Sequence, residues 1–127
     1  MADEDRTLLA AEAELREIAL ALPEAWEDFP WGERVIKVRK KIFVFLGVIA
    51  GGDWDGRLRV GVKLTTSHGV AMSLPFVVPT GYGLGRAGWV TATFTPGEQP
   101  MTGLLAAWIR ESYGNVAPKR LSAQVGG

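Results

Sequence analysis

Apolar positions recur at steps of three and four between residues 3 and 22. Leu8, Ala11, Leu15, Ile18 and Leu22 fall on one helical face. Acids crowd the first turn of this stretch, where the helix dipole favours them, and Pro23 ends it. Glu24 to Gly32 reads as a loop holding Trp26, Phe29, Pro30 and Trp31. From Arg34 the period changes to two. Arg34–Val38 predicts a short strand, Arg39-Lys40-Lys41 a tight turn, and Ile42–Leu46 a second strand. Gly51 to Gly56 predicts a loop with its turn at Asp55-Gly56. Arg57–Leu64 alternates strictly, with Leu58, Val60, Val62 and Leu64 on one side and Arg57, Arg59, Gly61 and Lys63 on the other.

The middle of the chain is less regular. Thr66–Leu74 suits a short helix stopped by Pro75, and a brief strand is expected near Val77–Val78 or Tyr82. Trp89–Phe94 alternates again. Pro100 suits a first helical residue, followed by the apolar face of Met101, Leu104, Leu105, Trp108 and Ile109, with Gly114 or Asn115 as the stop. Helix, hairpin-linked strands and helix predict a two-layer α+β domain over residues 1–127. The N- and C-terminal helices pack on one face of an antiparallel sheet of about five strands, and the other face stays open.

Composition narrows the chemistry. The 127 residues include no Cys and one His, which excludes disulfides and thiolate metal sites and weighs against a His-based metal cluster and against a Cys/His or Ser/His/Asp triad. The acidic N-terminus has no signal-peptide pattern, and the longest apolar run, Ile42 to Ala50, is too short to span a bilayer, so a cytoplasmic protein is expected. Net charge is zero but segregated. Residues 1–33 carry ten acids against two bases, and residues 34–63 carry eight bases against two acids. That asymmetry fits either an anionic partner for the basic part or mutual neutralisation of helix and sheet.

Candidate chemistry follows from placement. The strict alternation sets Arg57, Arg59 and Lys63 on the open face. Lys37 and Arg39 join them if strand one buries Ile36 and Val38, and Lys41, Phe43 and Phe45 join if strand two buries Ile42, Val44 and Leu46. With Trp89 for stacking, and Lys119 and Arg120 extending the track, bases beside rings are what phosphates and unstacked nucleobases require. The expected function is non-enzymatic binding of DNA or another nucleic acid, without cofactor and without membrane contact. The C-terminal helix carries only Arg110 against Glu111, so no basic recognition helix is present, and a pI near 6.6 weighs against strong affinity. The alternatives are a protein-interaction or self-association surface, with the rings in a seam, and weak divalent-cation binding through Asp3-Glu4-Asp5 or Glu14 and Glu17. Gly83 to Gly88 matches G-x-G-x-x-G by letters, but a strand follows it where a dinucleotide site needs a helix. His68 has no nucleophile spaced to use it. The Arg39–Lys41 turn is expected to project into solvent. Trp31 is expected to pack on the first helix or the sheet.

Several segments also resemble the MmcQ/YjbR-like proteins: Ala19 to Pro23, Phe29-Pro30-Trp31-Gly32-Glu33, Val38 to Leu46, and Val62-Lys63-Leu64. So do Tyr82 to Trp89, Ser112-Tyr113 and Ala117 to Leu121. The likeness covers nearly the whole chain, and the proline-aromatic-glycine-acid element is its most specific piece. The Gly-rich segment 81–88 departs from the family's usual polar loop. The resemblance implies a CyaY-like, double-wing fold, a family commonly described as DNA-binding, and no catalytic residues. Its kinship with frataxin-type proteins is what lends support to the metal alternative.

Overall fold

A computed structural model describes residues 3–51, 54–81 and 83–125. The elements, in chain order, are α1 (Asp3–Leu20), β1 (Ala25–Asp28), β2 (Val35–Val38), β3 (Lys41–Gly51), β4 (Trp54–Lys63) and α2 (His68–Met72). They continue with β5 (Val77–Pro79), a 3-10 turn (Leu84–Ala87), β6 (Trp89–Phe94), α3 (Thr102–Val116) and α4 (Lys119–Ser122). The strands form one six-stranded antiparallel sheet in the order β1-β2-β3-β4-β6-β5. The α+β class and the helix-covered face are as the pattern predicts. The sixth strand is β1, which lies in the stretch read as a loop, where two acids and Trp26 hide any apolar alternation.

The core lies between the sheet and helices α1 and α3. Leu8, Leu15 and Ala19 of α1 and Leu105, Trp108, Ile109 and Tyr113 of α3 are buried against Leu58, Val60 and Val62 of β4 and Val90 and Ala92 of β6. Helical stripes of period 3.6 thus meet strand faces of period 2 in one apolar layer. Helix α3 starts at Thr102, two residues after the expected proline, and Pro100 is buried just ahead of it. Tyr82 lies outside the described residues.

Two bulges correct the expected register. Ile36 pairs with Val44 but Lys37 pairs with Ile42, leaving Phe43 as an extra residue in β3. Phe43 and Val44 consequently both enter the core, and Ile42 turns to the opposite face. Phe43 therefore is not an exposed stacking ring. Its ring meets Tyr113 edge-on at 5.2 Å. The bulge is bridged by Ser112, which is fully buried. The Ser112 hydroxyl donates to the Phe43 carbonyl at 2.5 Å and accepts from the Lys63 amide at 2.9 Å. The second bulge lies where Val48 pairs with Leu58 but Ala50 pairs with Asp55. Gly56 occupies it at φ +77°, a conformation that suits glycine, so Asp55-Gly56 is a strand bulge and not the hairpin turn. Pairing continues to Gly51 and Trp54, and Gly52 and Asp53 lie outside the described residues.

Candidate anion-binding face

The face opposite the helices is narrower than the pattern predicts, because two segments fold over it. From one side comes the loop 29–33, and from the other the 3-10 turn that carries Leu84. Between them run two adjoining clefts that share Trp31, Phe45 and Leu84. Phe45 sits above Gly61, where an added Cβ would lie 3.3 Å from its ring, so the missing side chain makes room for it. Trp89 packs edge-on against Phe45 with centroids 5.4 Å apart and is only 8% exposed. That burial leaves little of Trp89 for stacking. Trp31 is the ring that reaches solvent, at 69% exposure. The expectation that Trp31 packs as a core anchor is overturned. Gly32 beside it adopts φ +84°, a conformation that suits glycine.

The first cleft, of about 500 Å³, lies at the end of the sheet near the β2–β3 turn. Lys37, Lys40, Lys41 and Lys63 line it, with no carboxylate among the described residues of its lining. A third cleft of about 580 Å³ adjoins it around the turn, lined by Arg39, Lys40, Lys41 and Lys119, again without an acid. The turn 39–41 is exposed as expected, with Arg39 at φ +56°.

The charge segregation resolves into two populations. Acids of the N-terminal third reach some of the bases. Arg34 pairs with Glu12 at 2.9 Å and with Glu27 at 2.8 Å, and Glu27 also binds Arg16 at 2.6 Å. Lys37 pairs with Asp28 at 2.7 Å while lying over the Trp26 ring at 5.1 Å. Arg39 meets Glu24 at 3.4 Å, and Arg120 approaches the same acid at 4.0 Å. The hydrogen bond from Arg16 holds the Glu27 carboxyl below its ordinary pKa, and that from Lys37 does the same for Asp28. Lys40, Lys41 and Lys63, by contrast, have no ion pair among the described residues. Neutralisation and a free basic cleft therefore coexist.

The expected site residues sort accordingly. Lys37, Lys41 and Lys63 converge on the first cleft, and Lys40 joins them. Arg39 and Lys119 belong to the adjoining one. Arg59 lines the far end of the face with Glu33. Arg57 lies on the same face of β4, near enough to Glu98 to help hold that carboxyl below its ordinary pKa, after the larger effects of the Thr95 amide and hydroxyl. Arg120 sits apart, beside Glu24. Lys40 was visible as part of a turn. Its place in the cleft beside Lys37 and Lys63 is a tertiary arrangement that no local pattern announces.

The remaining motifs are structural. The glycines of 83–88 shape the 3-10 turn, with Gly83 at φ +79° and Gly88 at φ +97°. A Cβ on Gly88 would lie 2.6 Å from the Leu64 carbonyl. His68 opens the five-residue α2, its amide bonded to the Thr65 carbonyl. Among the described residues no three His, Asp or Glu side chains gather to hold a metal ion, and the side chains of Asp3, Glu4 and Asp5 lie outside them. No helix of the described residues is long and apolar enough to cross a membrane.

Comparison with solved structures finds the same arrangement in a crystal structure from Deinococcus radiodurans, protein DR2400, described as a DUF419 domain. It aligns with a TM-score of 0.64 and 26% identity, covering 90% of this chain and 86% of that one. No curated protein matches the chain. The YjbR family model matches residues 20–115, a span from the end of α1 through the sheet to the last turn of α3. The chain belongs to the YjbR family.

Proposed function

We propose that this protein is a non-enzymatic nucleic-acid-binding protein whose first contact is the acid-free cleft beside the β2–β3 turn. The observation that carries the reading is the convergence on one cleft of Lys40, Lys41 and Lys63, none of them ion-paired among the described residues, beside Lys37, whose ammonium is shared with Asp28. Three such ammonium groups held together repel one another and attract a polyanion, whose counterions are released on binding. The exposed Trp31 ring borders the same cleft and offers a face on which an unpaired base stacks. The adjoining cleft at Lys119 continues the positive track around the turn.

Fluorescence anisotropy of labelled single- and double-stranded oligonucleotides, titrated across a salt series, tests this. With three to four phosphates neutralised, log K against log salt for a single strand should have a slope of about −2 to −3. Changing Lys41 and Lys63 to Ala together should flatten that slope by about 1.4 and weaken all sequences alike, since phosphate contacts carry no sequence information. Absence of binding to any DNA or RNA at low salt would end the reading.

A second reading rests on the β1 edge of the sheet, beside the basic cleft. Trp26 and Phe29 are exposed at 43% and 51%, Trp26 beside the Lys37–Asp28 ion pair and Phe29 beside Arg34, which pairs with Glu27, a mixed-sign surface with rings that suits a protein partner. It predicts that Trp26→Ala alters association state in sedimentation while leaving oligonucleotide binding in place.

A further inference from the structure

The second cleft of the same face, about 690 Å³, differs in kind from the basic one it adjoins. Its floor is Phe45 above Gly61, its walls are Trp31 and Leu84, and its charged lining residues are Glu33 and Arg59. Glu33 has no hydrogen bond or ion pair among the described residues. A flat apolar body fits between these walls, provided that it offers donors to a carboxylate and acceptors to a guanidinium.

We infer that this cleft takes one unstacked guanine of a single strand whose phosphates lie on the adjoining lysines; the inference rests on the nucleic-acid reading above. The two clefts share Trp31, Phe45 and Leu84, so a chain that lays its backbone in one meets the other within a nucleotide or two. Among the bases, guanine alone combines a two-donor edge, N1–H with the N2 amino group, and an acceptor pair, O6 with N7. Glu33 accepts from the first and Arg59 donates to the second. Adenine puts its N6 donor beside N7 and has no donor pair for the carboxylate. Thymine has a single N–H between two carbonyls. Cytosine offers its N4 amino group beside an unprotonated N3, whose lone pair repels Glu33. A duplex cannot enter, because the edge that Glu33 reads is then occupied by cytosine.

The test is an anisotropy titration with a ten-nucleotide oligothymidine and three versions carrying one central guanine, adenine or cytosine. The guanine version should bind about tenfold more tightly than the other three, as one bidentate base contact allows. In Glu33→Gln the ratio of guanine to thymine affinity should fall to about one. The substitution lies in an exposed loop position and removes no hydrogen bond of the fold. Equal binding of all four strands, with the salt dependence intact, overturns the guanine pocket and leaves the nucleic-acid reading standing. Failure of every strand to bind overturns both. Free GMP should compete at least a hundredfold less well than the guanine strand, because it brings one phosphate to the lysines. Equal competition by GMP overturns the single strand as the occupant.

Discussion

The two faces of β4 show how differently a closed and an open surface are written. Toward the helices, Leu58, Val60 and Val62 are fully buried beneath α1 and α3. Toward the other side, Arg59, Gly61 and Lys63 meet clefts walled by two short irregular segments. The closed face is specified by kind and period: any apolar side chain of suitable volume at alternate positions would serve. The open face is specified by which charges lack partners. Lys37 and Lys63 both lie on it, yet among the described residues only Lys37 pairs with a carboxylate. A like density of charge therefore gives a solvated ion pair at one position and a ligand-seeking ammonium group at the other.

The sharpest contrast is between two tryptophans. Trp108 of α3 is 2% exposed in the core, whereas Trp31 is 69% exposed beside the clefts. Trp108→Ala should lower stability by about 3–5 kcal/mol, from lost burial and the cavity left behind. Denaturant melts of the variant measure it. A loss below about 1 kcal/mol would mean that the closed face is less tightly packed than its burial indicates.

Ser112 joins the two faces and gives the next effect. Its hydroxyl serves the Phe43 carbonyl and the Lys63 amide in the middle of the sheet. Ser112→Ala strands both groups away from water, so a loss of about 1–3 kcal/mol is expected. The same change should loosen the position of Lys63, and slower amide exchange at Lys63 in the variant than in the wild type would contradict the bridge.

Carboxylates at the edge of the closed layer add a pH dependence. The hydrogen bond from Arg16 depresses the Glu27 pKa. For Glu111, burial pushes the carboxyl up, but the Ser67 hydroxyl and the Ser67 and Thr65 amides outweigh it, and the net shift is downward. Both groups have folded-state values below the ordinary one of 4.5. Their contribution is thus present above about pH 4.5 and is lost as pH falls through the folded values. Thermal melts between pH 7 and pH 3 should show that loss, with a shallower decline in Glu27→Gln and Glu111→Gln. An unchanged acid profile in both variants would remove these carboxylates from the account.

Much of the closed layer is legible in the sequence, because period and burial are the same information seen twice. The stripes of α1 and α3 and the alternation of Arg57–Leu64 locate the core directly. The open face is legible only in outline. Lys37, Arg59 and Lys63 follow from alternation, but the bulge moves Phe43 inward and Ile42 outward, and a bulge is a tertiary accommodation with no local signature here. The ion pairs that remove Arg34, Lys37 and Arg39 from the free cations join residues 7 to 22 positions apart, a geometry that charge counting does not contain. Strand β1 escapes the same way. It is an edge strand whose Trp26 is held by a bond from its indole N–H to the Arg39 carbonyl at 2.6 Å, with little burial to leave a pattern.

Trp31 gives the smallest expected change in stability and, for that reason, the cleanest separation of the two faces. Its ring is mostly in water already, so Trp31→Ala removes little buried surface and should cost less than about 1 kcal/mol. The same change takes away a wall of both clefts. Base–aromatic stacking is worth about 1–3 kcal/mol per base, so oligonucleotide affinity should fall by about 5- to 150-fold while the melt is nearly unmoved. Trp31→Phe should restore most of the affinity, since a smaller ring still stacks. The salt slope should stay the same in both variants, because stacking releases no counterions. A stability loss of several kcal/mol on Trp31→Ala would instead make the ring a packing anchor for the loop 29–33. Unchanged affinity together with unchanged stability would leave the basic cleft without its aromatic partner and turn the search for Trp31's contact toward a protein.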